Sequence, residues 1–338
     1  MSHEWVRKSA RIDGKFQNPV PTSVGDMRTM VRVLRRYLTN KEERTPKKQL
    51  GPFHTDEHVY EMSPPTGLRV TWMGHSAMLI EIDGVRVLVD PVWDERAAPM
   101  QWAGPKRFFA APLRLEKLPR IDVVIVSHDH YDHLGAGTVR LLARMDALAN
   151  ARWVTPLGVG AILTSLGVAA GRITELDWTE SVQVGSLELT ALPARHFSGR
   201  SLFNRFETLW ASFVLEGPEH RVYYGADSGE WTGFAEIGNT YGPFDLTMLE
   251  IGAFDRLWSD IHMGPDGAMR MFRAMRESWA SPGLMMPVHW GLFDLALHAW
   301  RQPIQRIFAE PGLKIWSPKP GVPTDVTVGV EVRSEWWR

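Results

Sequence analysis

His128, His130, Asp132 and His133 fall within six residues of one another in the segment VIVSHDHYDHLG, directly behind the apolar run Ile121 to Val126. A short apolar run bounded by a polar turn reads as a core strand, so these groups sit where a buried strand opens into a loop. Imidazole suits zinc and other borderline cations, and a carboxylate can complete or bridge a site. Two histidines at i and i+2 on extended backbone point to the same side, while Asp132 and His133 follow in the turn and can face a second ion. A lone H-x-H would read as a polar loop. The full H-x-H-x-D-H behind an apolar strand reads as a metal loop.

A binuclear site needs further ligands. His196 follows LELTALPAR, Asp227 follows RVYYGA and His289 follows LMMPV, each at the C-terminal end of a strand-like run. Separately they read as a loop histidine, a turn former before Ser228-Gly229 and a core histidine beside Trp290. Together they are candidates to meet, because strand ends are rigid and share a rim.

The elements that must position these groups begin at Leu68. LRVTWMG, AMLIEID and VRVLVDP read as three strands, with Asp83-Gly84 as a hairpin turn between the last two. IDVVIV is the strand before the metal loop, and the pattern predicts a helix over Thr138 to Leu148 after it. A strand–helix–strand unit spans 152–177. A second β-rich block covers SLELTALPA, TLWASFVLEG and RVYYGAD, followed by DLTMLEI, a helix near Pro265 to Glu277, and LMMPVH. Two blocks of strands, each followed by helix, point to an α/β (α+β) fold with two facing sheets and outer helices. There is no repeat and no low-complexity tract.

Residues 1–65 read as an N-terminal extension packed on or beside a catalytic domain at 66–338. The extension carries Pro19, Pro21, Pro46, Pro52, Pro64 and Pro65 and a charge run from Lys41 to Lys48. Within it, Gly25 to Leu38 predicts a short helix. Met27, Met30, Val31, Leu34, Tyr37 and Leu38 fall at helical spacing, with Arg28, Arg32, Arg35 and Arg36 mostly elsewhere around it. Such a basic amphipathic helix can lie on an anionic membrane or pack on its own domain.

At 338 residues and 44% hydrophobic content the chain can bury a large core. A formal charge of −1 supplies no global basic field, which argues against a dedicated nucleic-acid binder. The absence of cysteine excludes thiolate-ligated zinc and iron–sulfur clusters. No secretory signal or membrane span is read, which leads to an expected cytoplasmic location, peripheral at the inner membrane surface. The 15 tryptophans fit core packing and pocket walls, or anchoring at a lipid surface.

Long segments resemble the metallo-β-lactamase superfamily and, within it, the N-acylphosphatidylethanolamine-hydrolysing phospholipase D family. The similar stretches are DGKFQNPVPT, TWMGHSAMLIEIDGVRVLVDPVW with the following GPKRF, the metal loop, ARHFSGRSLFNRFETLWASFVLEGPEHRVYYGADSG, EIGNTYGPFDLTMLEIGAF and VHWGLFDL, covering most of residues 11–295. The resemblance implies an αββα sandwich with a metal site at the open edge between the sheets. It implies that His128, His130 and His196 hold a first ion, that Asp132, His133 and His289 hold a second, and that Asp227 bridges both. Asp90 in LVDP matches an early family aspartate that fixes a ligand histidine from behind, although a turn residue before Pro91 is the plainer reading. His262, in DIHMGP, is placed near the metals, where it would contact a phosphate or relay a proton rather than simply mark a helix entry. His75 would support the site or the strand. One departure is Ile261, where animal members carry Gln. His3, His54, His58, His220 and His298 receive no role.

Nitrogen-rich ligation without thiolate, and His130 where iron-containing relatives carry Glu, imply two zinc ions per chain, with manganese or iron as alternatives. The implied reaction is hydrolysis of N-acylphosphatidylethanolamine to an N-acylethanolamine and phosphatidic acid by a metal-bridging hydroxide that Asp132 orients. The alternatives are a soluble lactonase or other ester hydrolase of the same fold, and a lipid-binding scaffold. Implied partners are a phospholipid or other phosphodiester, peripheral membrane contact and a second copy in a homodimer, with no nucleic acid.

Overall fold

The apolar runs of the sequence become two sheets with their strand ends at one edge. The computed structural model describes residues 7–25, 27–39, 41–201, 203–281 and 283–338. The expectations that fall on the first six residues, His3 among them, and on the side chains of Met27, Arg28 and Met30 lie outside the described residues.

In chain order, a ribbon of β1 (Arg11–Ile12) and β2 (Lys15–Phe16) precedes α1 (Met27–Thr39). The meander β3 (Leu68–Gly74), β4 (Ala77–Ile82), β5 (Val85–Val89) follows, then β6 (Val123–Ile125), α2 (Ala136–Leu142), β7 (Arg152–Pro156), α3 (Val159–Ser165) and β8 (Ile173–Leu176). The second half runs β9 (Ser181–Val184), β10 (Leu187–Leu192), β11 (Ser212–Glu216), β12 (Arg221–Tyr224), α4 (Gly233–Tyr241), β13 (Leu246–Glu250), α5 (Gly264–Met275), β14 (Met285–Val288) and α6 (Gln302–Phe308). Short strands β15 (Trp316–Ser317), β16 (Thr324–Asp325) and β17 (Val332–Arg333) close the chain.

One sheet has the order β16-β3-β4-β5-β6-β7-β8 and the other β14-β13-β12-β11-β10-β9. Both are mixed: β3, β4 and β5 pair antiparallel while β5 to β8 run parallel, and β9 to β12 pair antiparallel while β12 to β14 run parallel. Alternation explains the layering. Val123 and Ile125 of β6 join the core shared with the second sheet, while Val124 and Val126 lie with Val139, Leu142, Val159 and Leu163 of α2 and α3. A strand covered on both faces must be apolar throughout, as this run is. At the β4–β5 turn, Asp83 (φ 49°) and Gly84 (φ 86°) are both left-handed, the two-residue hairpin geometry that Asp-Gly favours.

The helix after the H-x-H-x-D-H loop starts and stops earlier than expected. Asp94, from a distant loop, accepts from Gly137 N and Thr138 N at 3.0 Å each and so caps the helix start, and beyond Leu142 the chain breaks into a turn before a 3₁₀ segment at Asp146–Leu148. Local spacing carries no trace of that cap. Most tryptophans are structural: Trp72, Trp153, Trp178, Trp210 and Trp316 are fully buried, whereas Trp102 is 77% exposed. Among the described residues no helix is long and apolar enough to cross a membrane.

Candidate metal centre

The site residues stand just past strand ends. His128 follows β6, His196 follows β10, Asp227 follows β12 and His289 follows β14, while Asp90 follows β5 and His75 lies in the β3–β4 turn. His75 (φ 56°), Asp90 (φ 39°) and His289 (φ 60°) all adopt left-handed backbone, a conformation that costs energy and is held by surrounding contacts.

Two groups of side chains converge. In the first, His128 Nε2 lies 2.9 Å from His130 Nδ1, which lies 3.3 Å from His196 Nε2. Asp227 Oδ2 is 3.8 Å from His128 Nε2 and 3.6 Å from His196 Nε2. In the second, His133 Nε2 is 3.6 Å from Asp132 Oδ2, and His289 Nε2 is 3.9 Å from the same oxygen. The other Asp227 oxygen, Oδ1, faces this group, 3.2 Å from His133 Nε2 and 3.0 Å from His289 Nδ1. Asp227 therefore turns one oxygen to each group. Among the described residues, its Oδ1, His133 Nε2 and His289 Nε2 are buried without a hydrogen-bond partner, an arrangement that a cation would satisfy.

Contacts behind these groups fix which nitrogen faces inward. His133 Nδ1 donates to Asp90 Oδ2 at 2.6 Å, and His196 Nδ1 donates to the Ile261 carbonyl at 3.0 Å, turning each Nε2 toward the centre. Asp90 also accepts from Ser127 N (2.7 Å), from Ser127 Oγ (2.6 Å) and from the Tyr224 hydroxyl. His75 Nε2 donates to Asp132 Oδ2 at 3.0 Å.

The electrostatics suit cation binding. Burial holds His128, His196, His130 and His289 below the ordinary imidazole range, which keeps them neutral. Burial would raise Asp132 and Asp227, but the surrounding imidazoles outweigh it and hold both carboxyls well below their usual range. His133 is the exception: burial is overcome by Asp227, Asp132 and Asp90, which hold it well above normal. A bound cation would have to displace that proton.

His262 faces the same centre, ring to ring with His196 (5.0 Å) and His289 (5.3 Å). Its Nδ1 donates to Glu250 Oε2 at 2.7 Å. Glu250 is fully buried at the end of β13 and also accepts from Met263 N at 2.9 Å. Sequence reasoning passed over Glu250; the one signal was a carboxylate closing an otherwise apolar strand. Of the histidines without an expected role, His220 binds Asp83 at 2.7 Å, His58 binds Glu61 at the surface and His54 is exposed, whereas His298 stacks on Phe254 and lines a small cavity together with His75 and His289.

A cleft of about 530 Å³ opens above the centre. Its floor includes His130, Asp132, Asp227 and His289, and its walls include Phe197, Trp258, Ile261 and Leu295. Helix α1 forms the roof through Val33, Leu34 and Tyr37. Arg205 also lines the cleft, its guanidinium 5.4 Å over the Phe197 ring, and no ion-pair partner for it is found among the described residues.

Residues 85–290 match the model of the Beta-lactamase superfamily domain, and the chain belongs to that family. It is a metal-dependent hydrolase of the metallo-β-lactamase fold, with His/Asp clusters able to bind metal. A protein of Mycobacterium tuberculosis described as uncharacterized is 48% identical over 80% of this chain and 72% of its own length. N-acyl-phosphatidylethanolamine-hydrolyzing phospholipase D 1 of Caenorhabditis elegans is 35% identical over 68% of this chain and 65% of its own length. Igni18, a metallo hydrolase of Ignicoccus hospitalis, superposes with a TM-score of 0.57 at 21% identity, covering 76% of this chain and 97% of that one, which shows the shared fold.

Proposed function

We propose that the protein is a dinuclear zinc phosphodiesterase that hydrolyses a glycerophospholipid in the manner of a phospholipase D, with an N-acylphosphatidylethanolamine as substrate. The observation that carries this reading is an apolar cleft whose floor draws on two candidate ligand groups sharing Asp227 and whose wall holds a guanidinium with no ion-pair partner among the described residues. The name of the similar worm protein supports the substrate class. His128, His130 and His196 would hold one zinc, Asp132, His133 and His289 the other, and Asp227 both. When bound, such ions acidify a water molecule and offset charge developing on the phosphoryl oxygens.

The chain's own groups do the rest. Asp132, steadied by His75 and held ionised by the imidazoles around it, orients the attacking water. Arg205 attracts the phosphodiester anion. His262, held protonated by Glu250, donates to the leaving alkoxide oxygen as the phosphorus–oxygen bond breaks. The apolar walls take acyl chains. Along α1, Val31 and Leu38 are exposed with the roof residue Leu34, next to the exposed Arg32 and Arg35. That stripe suits the surface of an anionic membrane, at the cytoplasmic side if the protein resides there.

A lactone or other neutral ester is the second reading. It is favoured by Ile261, which puts an apolar side chain in the cleft where the family's animal members carry Gln. Zinc-loaded protein assayed on N-acylphosphatidylethanolamine micelles, an aryl phosphodiester and a lactone panel decides between them. Cleavage of the lipid and the diester is expected. Turnover of lactones alone would remove the phosphodiesterase reading.

A further inference from the structure

The N-terminal segment looks like an appendage in the sequence, yet it reaches the metal centre. Phe16 of β2 is buried in the main core, and its N–H donates to the Phe206 carbonyl at 2.8 Å. Two residues on, the Asn18 side chain meets the backbone of His196 at two points. Asn18 Oδ1 accepts from His196 N at 2.9 Å, and Asn18 Nδ2 donates to His196 O at 2.7 Å. An amide satisfies both main-chain groups of one residue only in one orientation, so this pair fixes the position of the His196 peptide.

The neighbouring contacts extend the same grip. Arg195 donates to the Pro21 carbonyl (2.8 Å) and to Thr22 Oγ1 (3.1 Å), and it pairs with Asp260 at 2.8 Å. Ser23 N donates to Asp260 Oδ2 at 2.9 Å. Asp260 precedes Ile261, whose carbonyl receives the His196 ring N–H at 3.0 Å. Residues 18–23 thus bracket both the backbone of His196 and the segment that sets its ring.

We infer that Asn18 is a positioning residue of the metal centre, clamping the backbone of His196 so that its Nε2 is held at the first zinc, and that residues 18–23 are a built part of that site. The inference rests on the reading of His196 as a ligand. His196 stands past the end of β10 with no ladder partner for its own N–H or carbonyl other than this side chain, among the described residues. Partners behind a metal ligand typically carry about 10–100-fold in metal affinity.

The test is zinc titration of the chelator-stripped full chain against a chromophoric competitor, for wild type, Asn18→Ala and Asn18→Asp, with the thermal midpoint of each metal-free protein measured alongside. In Asn18→Ala, one of the two zinc equivalents should weaken by about 10–100-fold. The other should stay within about threefold, and the metal-free midpoint should barely move, because only two partly accessible backbone bonds are lost. Asn18→Asp keeps an acceptor for His196 N–H but sets a carboxylate oxygen against the His196 carbonyl that Asn18 Nδ2 now meets at 2.7 Å, so its loss should be at least that of Ala, and it decides the matter if Asn18→Ala fails to fold. Wild-type affinity at both zinc sites in the variants overturns the clamp. A lowered midpoint with unchanged zinc affinity also overturns it, since that is a merely structural role. A wild-type protein that takes up no zinc overturns the metal reading itself, and this inference with it.

Discussion

His128, His133, His196, Asp227 and His289, at or beneath the cleft floor, are at most 3% exposed, whereas the helix that lines the other side of the cleft leaves Val31 63%, Leu34 61% and Leu38 77% exposed. The floor is over-determined. Asp90 alone gathers Ser127, His133 and Tyr224, and His128, His196, Asp227 and His289 stand just past the ends of core strands. Among the described residues, the polar contacts of the roof include Arg36 to Asp255 at 2.8 Å, the Tyr37 hydroxyl to Asp294 at 3.1 Å, and the Arg44 guanidinium 3.5 Å over the Tyr37 ring. The difference assigns the two halves of a hydrolase's task to different kinds of structure. Chemistry needs groups placed to a fraction of an ångström by rigid elements. On the proposed lipid reading, admission of a long, flexible substrate needs apolar surface on an element that can move at little cost.

If the floor is as tightly specified as its contacts imply, breaking it at the shared carboxylate should have the largest effect. Asp227→Asn removes the charge that faces both ligand groups. Activity should fall by on the order of 10³-fold or more, and elemental analysis should show fewer than two zinc ions per chain. Normal metal content with near-normal turnover would mean that the two groups work independently.

His262 comes next. Burial opposes its protonation, but Glu250 prevails and holds it up at about 9. Its protonated form is the one proposed to act, so the rate should hold through neutral pH and fall as pH rises through about 9. The sign for stability is the same: a pKa raised above the unfolded value of about 6.5 stabilises the fold below that pH, and the contribution is lost as pH rises through the folded value. Glu250→Gln should move the basic limb of the rate profile to lower pH, and His262→Ala should lower kcat by roughly 10²-fold. A basic limb that stays in place in Glu250→Gln would detach this pair from the reaction.

Third is Asp90→Ala, which leaves Ser127, His133 and Tyr224 donors buried without an acceptor. It should cost about 3 kcal/mol of stability, read by denaturant unfolding, and about 10–100-fold in zinc affinity.

These residues differ in how visible they are in the sequence, and the reason is physical distance along the chain. The four groups of H-x-H-x-D-H are legible because one strand and one loop carry them all. The two-sheet architecture is legible because strands covered on both faces must be apolar and the Asp83-Gly84 turn has its own signature. Asp90 shows as a residue before Pro91, but its partners Ser127 and Tyr224 are settled only by folding. Glu250 hides at the end of an apolar strand, and Asn18 lies 178 residues from the histidine it grips. Helix α1 is readable as a helix, expected over Gly25 to Leu38 and found at Met27–Thr39. That one of its faces roofs the cleft depends on Asp255 and Asp294, which no local pattern connects to it.

A smaller effect is expected on the wall between floor and roof. Arg205→Ala should raise KM for an anionic aryl phosphodiester by roughly tenfold, the loss of one charge-assisted contact, with kcat little changed and turnover of a neutral ester unaffected. An equal loss on both substrates would make Arg205 a support for Phe197 and not a reader of charge.

The smallest effect should come from the roof's outer stripe. Val31→Ser and Leu38→Ser are changes to exposed side chains, so stability should stay within about 0.5 kcal/mol, and neither residue lines the cleft. If α1 rests on an anionic bilayer, the double variant should bind vesicles containing anionic lipid about fivefold more weakly, since less apolar surface enters the interface. Turnover of a soluble phosphodiester should be unchanged, so the ratio of vesicle to soluble activity is the quantity to follow. Added salt should lower that ratio in the wild type as well, because Arg32 and Arg35 lie exposed beside the stripe and their attraction to lipid charge is screened. Loss of soluble turnover to the same extent would show that α1 shapes the reacting centre itself, and the roof would then be as tightly specified as the floor.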